Sequence, residues 1–435
     1  MFTIISFTNC QNIIFLEFEH LTNIVMKTIH KTYKFRVYPN TTQEILLNKT
    51  FGCNRFIYNR MLTERKETYE KLKDNKEALR AYMYTTEKMY KQEFPWLSEV
   101  DSISLQQSRI DLETAYKNYF DSITGKRKGR KINYPKYKSK KETRQTYRTL
   151  RVNTNISIKF ENKKIKLPKL KWIKYSDDRI FNGDIRNVTV EKTSTGKYFA
   201  CILVEENIDT KIHQVSSQSK CIGLDMDMKK FYTDNKGVTA DYPRFYRKNE
   251  KKLAKEQRRL SRKVKCSNNR NKQRIRVARV HEKIVNSRKD FQNKISTTLV
   301  ENYDVIGVET LNMQAMSQCL NLGKSVMDNA WGCFVNMLEY KCDWYGKHLV
   351  FADKYYASSK MCNVCGYKNV ELSLSEREWD CPICGTYHLR DKNAGINLMN
   401  FAKEKLGIST VGTTGIYASG EEETQVTSLK EEIFI

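Results

Sequence analysis

The chain has 435 residues, of which 77 are Lys or Arg and 50 are Asp or Glu, so its formal net charge at pH 7 is +27. This length predicts two or three domains, and the apolar and aromatic content excludes wholesale disorder. The excess positive charge predicts nucleic acid as the partner, in preference to a basic ribosomal-type or membrane-surface protein. No run reaches the roughly 18 apolar residues of a membrane span.

The two ends of the chain are predicted to lie outside the folded core. Residues 1–26 are interpreted as a non-native or disordered extension, because the basic start of a signal peptide is missing and two acids, Glu17 and Glu19, interrupt the apolar run. Met26 is the expected start of translation. Residues 406–435 are rich in Gly, Thr and Glu, which predicts a flexible tail.

Residues 27–40 are predicted to form a half-buried strand, because apolar and polar side chains alternate along it. Its outer face is expected to contact nucleic acid through Lys34, Arg36 and Tyr38. Thr41 and Glu44 then form a capping-box pattern. This pattern opens a helical domain predicted over residues 41–125, with a break near Phe94–Leu97.

Residues 126–218 are predicted to contain a basic loop followed by a small β-barrel. Between Lys126 and Arg148 lie eleven Lys or Arg and one acid, with tyrosines interleaved. This mixture favours a loop that follows a phosphate backbone over a merely solvated face. The expected contacts are Lys126, Arg127, Lys128, Arg130, Lys136, Lys138 and Lys140. A hairpin is predicted around Thr193–Lys197.

A new domain is predicted over residues 219–360, and its stretch 244–300 is basic and helical. An interruption at Cys266–Asn271 predicts a helical hairpin. Arg244 to Arg276 contains fifteen Lys or Arg and two acids, and a free helix so charged would repel itself. We therefore expect an anionic partner along the hairpin, contacted by Arg258, Arg259 and Arg262.

Three acids, two on apolar strands and one at a helix start, form a second candidate site. Asp225 lies inside an apolar strand, and Glu309 closes a second apolar strand. Asp391 opens a helix predicted over residues 389–405. Two neighbouring strands and a helix start can bring three carboxylates together, where they repel one another unless divalent ions bind. With Mg²⁺ they would form a two-metal site for phosphodiester hydrolysis, although three unrelated acids are the commoner outcome of such spacing.

Residues 361–388 carry the spacing C-x2-C-x15-C-x2-C, which predicts a zinc ribbon. The four thiolates suit the tetrahedral preference of zinc and leave no open position, so the site is predicted to be structural. An iron–sulfur cluster is the less favoured alternative. The predicted ligands are Cys362, Cys365, Cys381 and Cys384. His388 is expected on the surface, and the scattered remaining cysteines predict reduced thiols in a cytosol-like compartment.

Taken in order, these motifs resemble the OrfB/TnpB family encoded by bacterial insertion sequences, which is related to type V CRISPR effectors and to Fanzor proteins. The resemblance runs from about Thr28 into the C-terminal tail, and its motifs include YKFRVYPNTTQEILLNKTFGCNRFIYN, IGLDMDMKKFYTDNKG, DVIGVETLNMQAM and RDKNAGIN. The chain departs from the family pattern at Asp227, where many members have Gly, and at Gly395, where many have Ala. We prefer Asp225 to Asp227 as the metal ligand because it directly follows the Gly–Leu pair of the strand.

The resemblance implies an α+β multidomain fold, with an N-terminal β-barrel and inserted helical domain, then an RNase H-like (RuvC) α/β nuclease domain with an inserted zinc ribbon. It maps the catalytic, magnesium-binding acids onto Asp225, Glu309 and Asp391, and structural zinc onto the four cysteines. The implied function is RNA-guided DNA cleavage for a transposable element in the bacterial cytosol or nucleoid. The implied partners are a guide RNA from the element's own transcript and double-stranded target DNA. A DNA-joining transposase and a nuclease-independent, guide-directed repressor remain open as alternatives.

Overall fold

The computed structural model describes residues 24–127, 129–141, 144–211, 214–319, 322–373 and 375–408. The chain divides into two compact units. The first comprises residues 1–210 and 249–285, and the second comprises residues 211–248 and 286–435. Most of the predicted extension and most of the predicted tail lie outside the described residues. Within the described ranges, no helix combines the length and apolar character needed to cross a membrane.

A seven-stranded antiparallel sheet forms the base of the first unit. Its strands are β1 (Ile24–Tyr38), β2 (Gln145–Leu150), β3 (Ser157–Lys159), β4 (Lys164–Leu167), β5 (Lys171–Ser176), β6 (Asp184–Lys192) and β7 (Tyr198–Lys211). The strand order is β2-β6-β7-β1-β5-β4-β3. Because β2 and β3 are two separate edges, the described strands form a curled half-barrel, which is less than the small β-barrel that the sequence predicts.

The alternation predicted for the first strand is confirmed. Phe35 and Val37 are buried in the core beneath the sheet, while Lys34 and Tyr38 are exposed. The hairpin predicted at Thr193–Lys197 is also confirmed, because the backbone N–H of its first residue donates to the carbonyl of its last (2.9 Å). The two-residue period of these strands therefore determines which face of the sheet is basic.

Among the described residues, four α-helices precede the basic loop of the first unit. Three of them pack around an apolar cluster that includes Ile57, Leu62, Leu97, Leu105 and Leu112, and the second of the four has no buried residue. The four helices are α1 (Thr41–Leu72), α2 (Lys76–Ala81), α3 (Glu87–Glu93) and α4 (Ser102–Ile123). A short 3₁₀ helix at Pro95–Glu99 separates α3 from α4, which confirms the predicted break.

The N-terminal cap of α1 lies one residue before the predicted capping box. The Asn40 side chain accepts a hydrogen bond from the backbone N–H of Gln43 (2.9 Å), and Gln43 Oε1 accepts from the backbone N–H of Asn40 (3.0 Å). The predicted Thr41–Glu44 box is therefore wrong. The Gln43 amide also donates to the backbone carbonyl of Leu170 (2.9 Å), which ties the start of α1 to the sheet.

The predicted helical hairpin is confirmed as α5 (Phe245–Ser261) and α6 (Asn268–Asn302). Side chains of α6 bond the end of α5. Arg270 donates to the backbone carbonyl of Leu260 (2.8 Å), and Gln273 donates to the Glu256 carboxylate (2.6 Å). These polar contacts connect α5 and α6 near the closed end of the hairpin.

A four-stranded sheet of order β11-β10-β8-β9 forms the centre of the second unit. Its strands are β8 (Cys221–Asp227), β9 (Phe231–Asp234), β10 (Val305–Glu309) and β11 (His348–Ala352). Strands β8, β10 and β11 run parallel, and β9 runs antiparallel to β8. The sequence Asn–Lys–Gly at residues 235–237 predicts a hairpin turn. The hydrogen bond from the Asp234 N–H to the Val238 carbonyl (2.9 Å) confirms it.

Four helices and a small hairpin complete the second unit. They are α7 (Met313–Cys319), α8 (Gly323–Asn329), α9 (Trp331–Tyr345), β12 (Glu378–Asp380), β13 (Tyr387–Leu389) and α10 (Arg390–Lys405). The sequence predicts one mostly buried helix over residues 327–346, and this prediction is wrong because α8 and α9 are separate helices. Ala330 adopts a left-handed conformation (φ 46°) and ends α8, which lets Trp331 enter the aromatic core.

Helix α10 lies directly on the sheet because glycines allow the backbones to approach. A Cβ at Gly223 of β8 would overlap the carbonyl oxygen of Gly395 and lie 2.5 Å from the backbone nitrogen of Met399. A Cβ at Gly395 would lie 2.7 Å from the carbonyl carbon of Asp234. This close packing gives a physical reason for Gly at position 395 in this chain.

We expect Gly223→Ala to destabilise the second unit by about 3 kcal/mol, because α10 must move away from β8 to make room for the methyl group. Gly332→Ala is the matched control, since nothing lies within 4 Å of its added Cβ and α9 should gain up to about 1 kcal/mol of helix propensity. Chemical denaturation of both variants measures the difference. Equal stabilities would contradict the close approach of α10.

Candidate metal and nucleic-acid sites

Asp225 and Glu309 lie next to each other on adjacent parallel strands. The register of β8 and β10 places Val308 opposite Leu224, and the acids are the next residue on each strand. The expectation that these two strands are neighbours is therefore confirmed. Parallel pairing in this register brings two carboxylates from distant parts of the chain to the same edge of the sheet.

Burial raises the pKa of Asp225 well above its ordinary value, and the negative charges of Glu309 and then Asp391 raise it further. Burial also raises the pKa of Glu309. Hydrogen bonds from Ser358 and with Asp225 oppose that rise, and Ser358 Oγ lies 2.5 Å from Glu309 Oε1. The two carboxyl groups thus retain protons more strongly than ordinary acids do unless a cation compensates them.

Asp391 lies in the first turn of α10, and its side chain is 29% exposed. Arg377, which precedes β12, donates to Asp391 Oδ1 (3.0 Å). Among the described residues, the four cysteines are the one set of three or more His, Cys, Asp or Glu side chains whose donor atoms all lie within 4.8 Å of one another. Asp391 is near enough to raise the pKa of Asp225, but the three acids do not form so tight a cluster, and Asp391 is paired with Arg377.

Asp227 has a different local role from Asp225. Its Oδ1 accepts a hydrogen bond from the backbone N–H of Lys229 (2.6 Å), and its carbonyl accepts from the Asn329 side chain (3.2 Å). The Asp227 carboxylate thus stabilises the turn between β8 and β9. This contact supports the choice of Asp225 over Asp227 as the candidate ligand.

Two buried asparagines of α10 bond the loop that leads into the cysteine cluster. Both belong to the motif RDKNAGIN, but the sequence alone predicted no role for them. Asn397 donates to the backbone carbonyls of Ser358 (2.7 Å) and Met361 (2.6 Å). Asn393 donates to the carbonyl of Met361 (2.7 Å) and accepts from the N–H of Asn363 (3.1 Å). The one available signal was their spacing of four residues, which places both side chains on one face of a helix.

The sulfur atoms of the four predicted zinc ligands come together. Cys362 Sγ lies 3.6 Å from Cys384 Sγ, and Cys365 Sγ lies 3.5 Å from Cys381 Sγ. Tetrahedral zinc with Zn–S bonds of about 2.3 Å needs sulfurs about 3.8 Å apart, so the donor set fits the ion. Hydrogen bonds from Thr386 lower the pKa of the Cys384 thiol to about 6, which favours its thiolate, whereas burial raises the pKa of Cys362. Zinc binding would therefore have to displace the proton of Cys362.

The prediction of a surface position for His388 is wrong. Only 4% of this residue is exposed, its Nε2 lies 3.0 Å from Cys362 Sγ, and its ring packs on Trp379 at 4.7 Å between centroids. Side chains alternate between the two faces of β13, so His388 points inward while Tyr387 and Leu389 are exposed. His388 is thus part of the inner wall of the cysteine cluster.

The basic residues predicted on β1 are partly occupied by contacts within the chain. Lys34 Nζ lies 3.0 Å from Glu191 Oε2, which also accepts from Arg144 (2.8 Å). The Arg36 guanidinium lies 5.0 Å from the centroid of the Tyr38 ring, and 46% of Tyr38 is exposed. These side chains form a cationic and aromatic surface on the outer face of the sheet.

The basic loop presents most of its predicted residues to solvent. The exposed ones are Lys126, Arg127, Arg130, Lys136 and Lys140. Lys138 is half-buried, with its ammonium 4.1 Å from the centroid of the Tyr58 ring and 3.8 Å from Asp111 Oδ2. Lys128 lies outside the described residues.

The three arginines predicted on the helical hairpin, Arg258, Arg259 and Arg262, are all exposed. Arg259 donates to Glu256 (3.0 Å), whose side chain is 13% exposed. Arg262 follows the last residue of α5. The hairpin therefore offers cationic side chains along its surface, as its composition predicted.

A polar cavity of about 260 Å³ in the first unit was missed by sequence reasoning. Its basic and amide lining includes Arg55, Gln107, Arg144 and Arg148. Arg148 Nε is buried and has no hydrogen-bond partner among the described residues. The lining comes from α1, α4, β2 and the preceding loop, which are distant in sequence, so no local pattern indicated the cavity.

Three family models match parts of the chain. Residues 199–320 match an OrfB model described as “Probable transposase”, and residues 331–398 match a model described as “Cas12f1-like, TNB domain”. Residues 26–74 match a model described as “Helix-turn-helix domain”. The geometry of that last segment differs from its description, because the described residues form β1 and the single continuous helix α1.

Two curated relatives match over about nine tenths of their length. A protein of Streptomyces pristinaespiralis named “Putative RNA-guided DNA endonuclease” is 33% identical over 378 residues, which cover 86% of this chain and 90% of the relative. A protein of Escherichia coli K12 named “Putative RNA-guided DNA endonuclease InsQ” is 31% identical over 384 residues, covering 85% of this chain and 91% of the relative.

A solved structure described as “Cryo-EM structure of the Cas12f1-sgRNA-target DNA complex” has a similar fold. The TM-score is 0.52 at 13% sequence identity, and the match covers 86% of this chain and 99% of the solved chain. At this identity the match supports the fold alone. The multidomain mixed α/β architecture is thus shared with a protein solved in complex with RNA and DNA.

Proposed function

This chain belongs to the OrfB/TnpB family, and from that premise we propose that it is an RNA-guided DNA endonuclease of a transposable element. The observation that carries the proposal is the pair of acids, Asp225 and Glu309, side by side on adjacent parallel strands with raised pKa values. Burying like charges together is costly, and such perturbed groups cluster at functional sites.

The carboxylates fit a magnesium site. Mg²⁺ prefers oxygen ligands and is typically bound by one or two carboxylates plus water or phosphate oxygens. Burial raises the pKa of both Asp225 and Glu309, and the negative charges of Glu309 and Asp391 raise that of Asp225 further. A divalent cation would offset the cost of keeping these carboxylates charged. When bound, Mg²⁺ would activate a water molecule and stabilise the leaving oxygen of a phosphodiester.

Each residue of the site has a separate task in this proposal. Asp225 and Glu309 would hold the cation from the sheet, and Asp391 would hold it from the start of α10. Ser358 orients Glu309 by donating to Oε1, and Arg377 balances the charge of Asp391. Asp225, Glu309 and Asp391 all belong to regular elements, so their backbone positions are fixed before DNA arrives, and the one change required is that the Asp391 side chain exchange Arg377 for the cation.

We propose the sequence-predicted layout for the nucleic-acid partners. The β1 face, the basic loop and the helical hairpin would contact a guide RNA, its heteroduplex with DNA, and the duplex beside the target. The guide would come from the element's own transcript. In support, the cavity lined by Arg55, Arg144 and Arg148 offers further cationic groups in the first unit.

Sequencing the RNA that copurifies with the protein, expressed with its native downstream flank, tests the guide. We expect a discrete species overlapping the 3′ end of the gene, and this species should direct Mg²⁺-dependent cutting of matched DNA. Heterogeneous RNA that moderate salt removes would contradict a specific guide. Joined DNA products in the same assay would instead support strand transfer.

Magnesium is expected to stabilise the protein more at pH 8 than at pH 5. Because folding raises the pKa of Asp225 and Glu309, protonating them stabilises the fold. That stabilisation is complete below the ordinary carboxyl pKa of about 4 and is lost as pH rises through the raised values. At a hundredfold excess over its Kd, Mg²⁺ should raise Tm at pH 8 by about 5 °C.

Two variants test this expectation in a thermal-melting experiment. Asp225→Asn should raise the metal-free Tm at pH 8 and remove the response to Mg²⁺. Glu371→Gln, which changes an exposed acid near the cysteine cluster, should leave both unchanged. An equal response to Mg²⁺ in wild type and Asp225→Asn would count against the carboxylate site.

A further inference from the structure

Two sites in the second unit share one loop. Residues 358–363 begin beside Glu309 and end within the cysteine cluster, since Ser358 donates to Glu309 and Cys362 is a predicted zinc ligand. The opposite side of this loop is bonded by Asn393 and Asn397. The loop therefore contacts one acid directly and is bound to the helix that carries another.

The hydrogen bonds from Asn393 and Asn397 can couple the position of the loop to that of α10. Asn393 and Asn397 are 2% and 3% exposed, so neither amide can exchange its partner for bulk water. Both donate to the same carbonyl, that of Met361, the residue before Cys362. A buried carbonyl without a donor is costly, so a loop that shifts must carry α10 with it or lose these bonds.

Helix α10, which Asn393 and Asn397 bind to the loop, carries the third acid, Asp391, in its first turn. Asp391 lies two residues before Asn393 and six before Asn397 in α10. The close packing of α10 on Gly223 allows little independent movement of the helix. Arg377 adds a second link, because it lies in the segment between the two cysteine pairs and bonds Asp391.

We infer that Asn393, Asn397 and Ser358 form a clamp that couples zinc binding at the four cysteines to cation binding at Asp225, Glu309 and Asp391. The inference rests on the proposed function for the identity of both metals. It makes these three side chains positioning residues, and it gives the zinc ribbon a task beyond its own folding, which is to hold the carboxylates at a cation-binding separation.

Coupling between two binding sites is reciprocal. If zinc orders the clamp and thereby improves the carboxylate site, then Mg²⁺ at the carboxylates must tighten zinc binding by the same factor. We expect a factor of at least about five, the lower end of ordinary coupling. A clamp residue that only stabilised the fold would change Tm without changing this factor.

Zinc affinity, measured by competition with a chromophoric zinc chelator with and without saturating Mg²⁺, tests the inference. Wild-type protein should bind zinc at least about fivefold more tightly with Mg²⁺. In Asn397→Leu the factor should fall to about one. Ser358→Ala removes a single hydroxyl and serves as the second variant should the leucine not fold; its factor should also fall.

Gln292→Leu is the matched control. Gln292 is also a buried amide of the second unit, 1% exposed, and it donates to the backbone carbonyls of Asn329 (2.7 Å) and Ala330 (3.2 Å). It contacts neither the loop nor the acids in any of these hydrogen bonds. Its loss should lower Tm as Asn397→Leu does and leave the Mg²⁺ effect on zinc affinity intact.

Asp225→Asn separates failure of the clamp from failure of the proposed site. If this variant loses the Mg²⁺ effect but Asn397→Leu and Ser358→Ala keep it, the clamp is wrong and the carboxylate site stands. If wild type shows the Mg²⁺-induced rise in Tm but no change in zinc affinity, the coupling is also wrong. If wild type shows neither response, the carboxylate site itself fails.

Discussion

Asp225→Asn should reduce Mg²⁺-dependent cleavage of guide-matched DNA by at least about 10³-fold, equivalent to about 4 kcal/mol of transition-state stabilisation. The substitution keeps the shape of the side chain and removes the charge that would hold the cation. Glu309→Gln and Asp391→Asn should have effects of similar size. A double variant should be hardly worse than either single one, because ligands of one metal centre act as a unit.

Asp227→Asn is the control for these variants. Asp227 lies two residues along β8 from Asp225 and stabilises a turn through the N–H of Lys229. Asp227→Asn should cleave DNA at a rate within about threefold of that of wild type, with a small decrease in Tm. Gel-based cleavage rates, measured beside guide and target affinity, give the comparison. If Asp227→Asn were inactive and Asp225→Asn active, the two aspartates would exchange roles.

Guide and target binding should survive in Asp225→Asn. Neutralising one acid in a strongly cationic protein slightly favours binding to nucleic acid rather than weakening it. The variant should therefore become a DNA-binding protein without nuclease activity. Loss of binding together with cleavage would mean that the substitution had damaged the fold, and the Tm measurement would reveal this.

Cys381→Ser should release the zinc and unfold the ribbon over residues 361–388, lowering cleavage by at least about 100-fold. The apolar core of this segment consists of little more than Cys362, Leu372, Trp379 and Cys381. So small a core cannot fold alone, and structural zinc commonly supplies about 10 kcal/mol or more of folding free energy in such segments. The loss should reach the acids through Arg377 and the clamp.

Metal analysis, Trp379 fluorescence and limited proteolysis measure this effect. We expect one zinc per chain in wild type, none in Cys381→Ser, and new cleavage by protease within residues 361–388. Cys342→Ser is the matched control, because Cys342 is equally buried but lies in the core of the second unit. It should lose some stability and keep its zinc. Iron in the purified protein in place of zinc would contradict the zinc assignment.

Local patterns in the sequence determined most of the elements. The alternation of β1, the apolar runs of β8 and β10, the interruption between α5 and α6, and the turn at residues 235–237 were all predictable. Each of these features depends on residues close together in sequence, because the period of apolar side chains and the turn preferences of individual residues determine it. The cysteine spacing belongs to the same class, because it specifies its own geometry.

The errors arose where two local signals competed or where packing overrode them. Asn40 and Thr41 are both good caps, and the contact of Gln43 with Leu170, 127 residues away, favours the first. Nothing local predicts a left-handed Ala330, since the aromatic core around Trp331 requires the break. His388 was expected outside because it is polar, yet it packs against Cys362 and Trp379.

What the sequence determined by itself was therefore the inventory: which segments are strands or helices, which acids interrupt apolar runs, and which cysteines can share an ion. Only the tertiary structure decided which of these groups meet. The pairing of Asp225 with Glu309 depends on a parallel register between strands separated by the hairpin, and the clamp depends on α10 approaching Gly223. Such contacts depend on the free energy of packing the whole unit, and no short stretch of sequence determines that free energy.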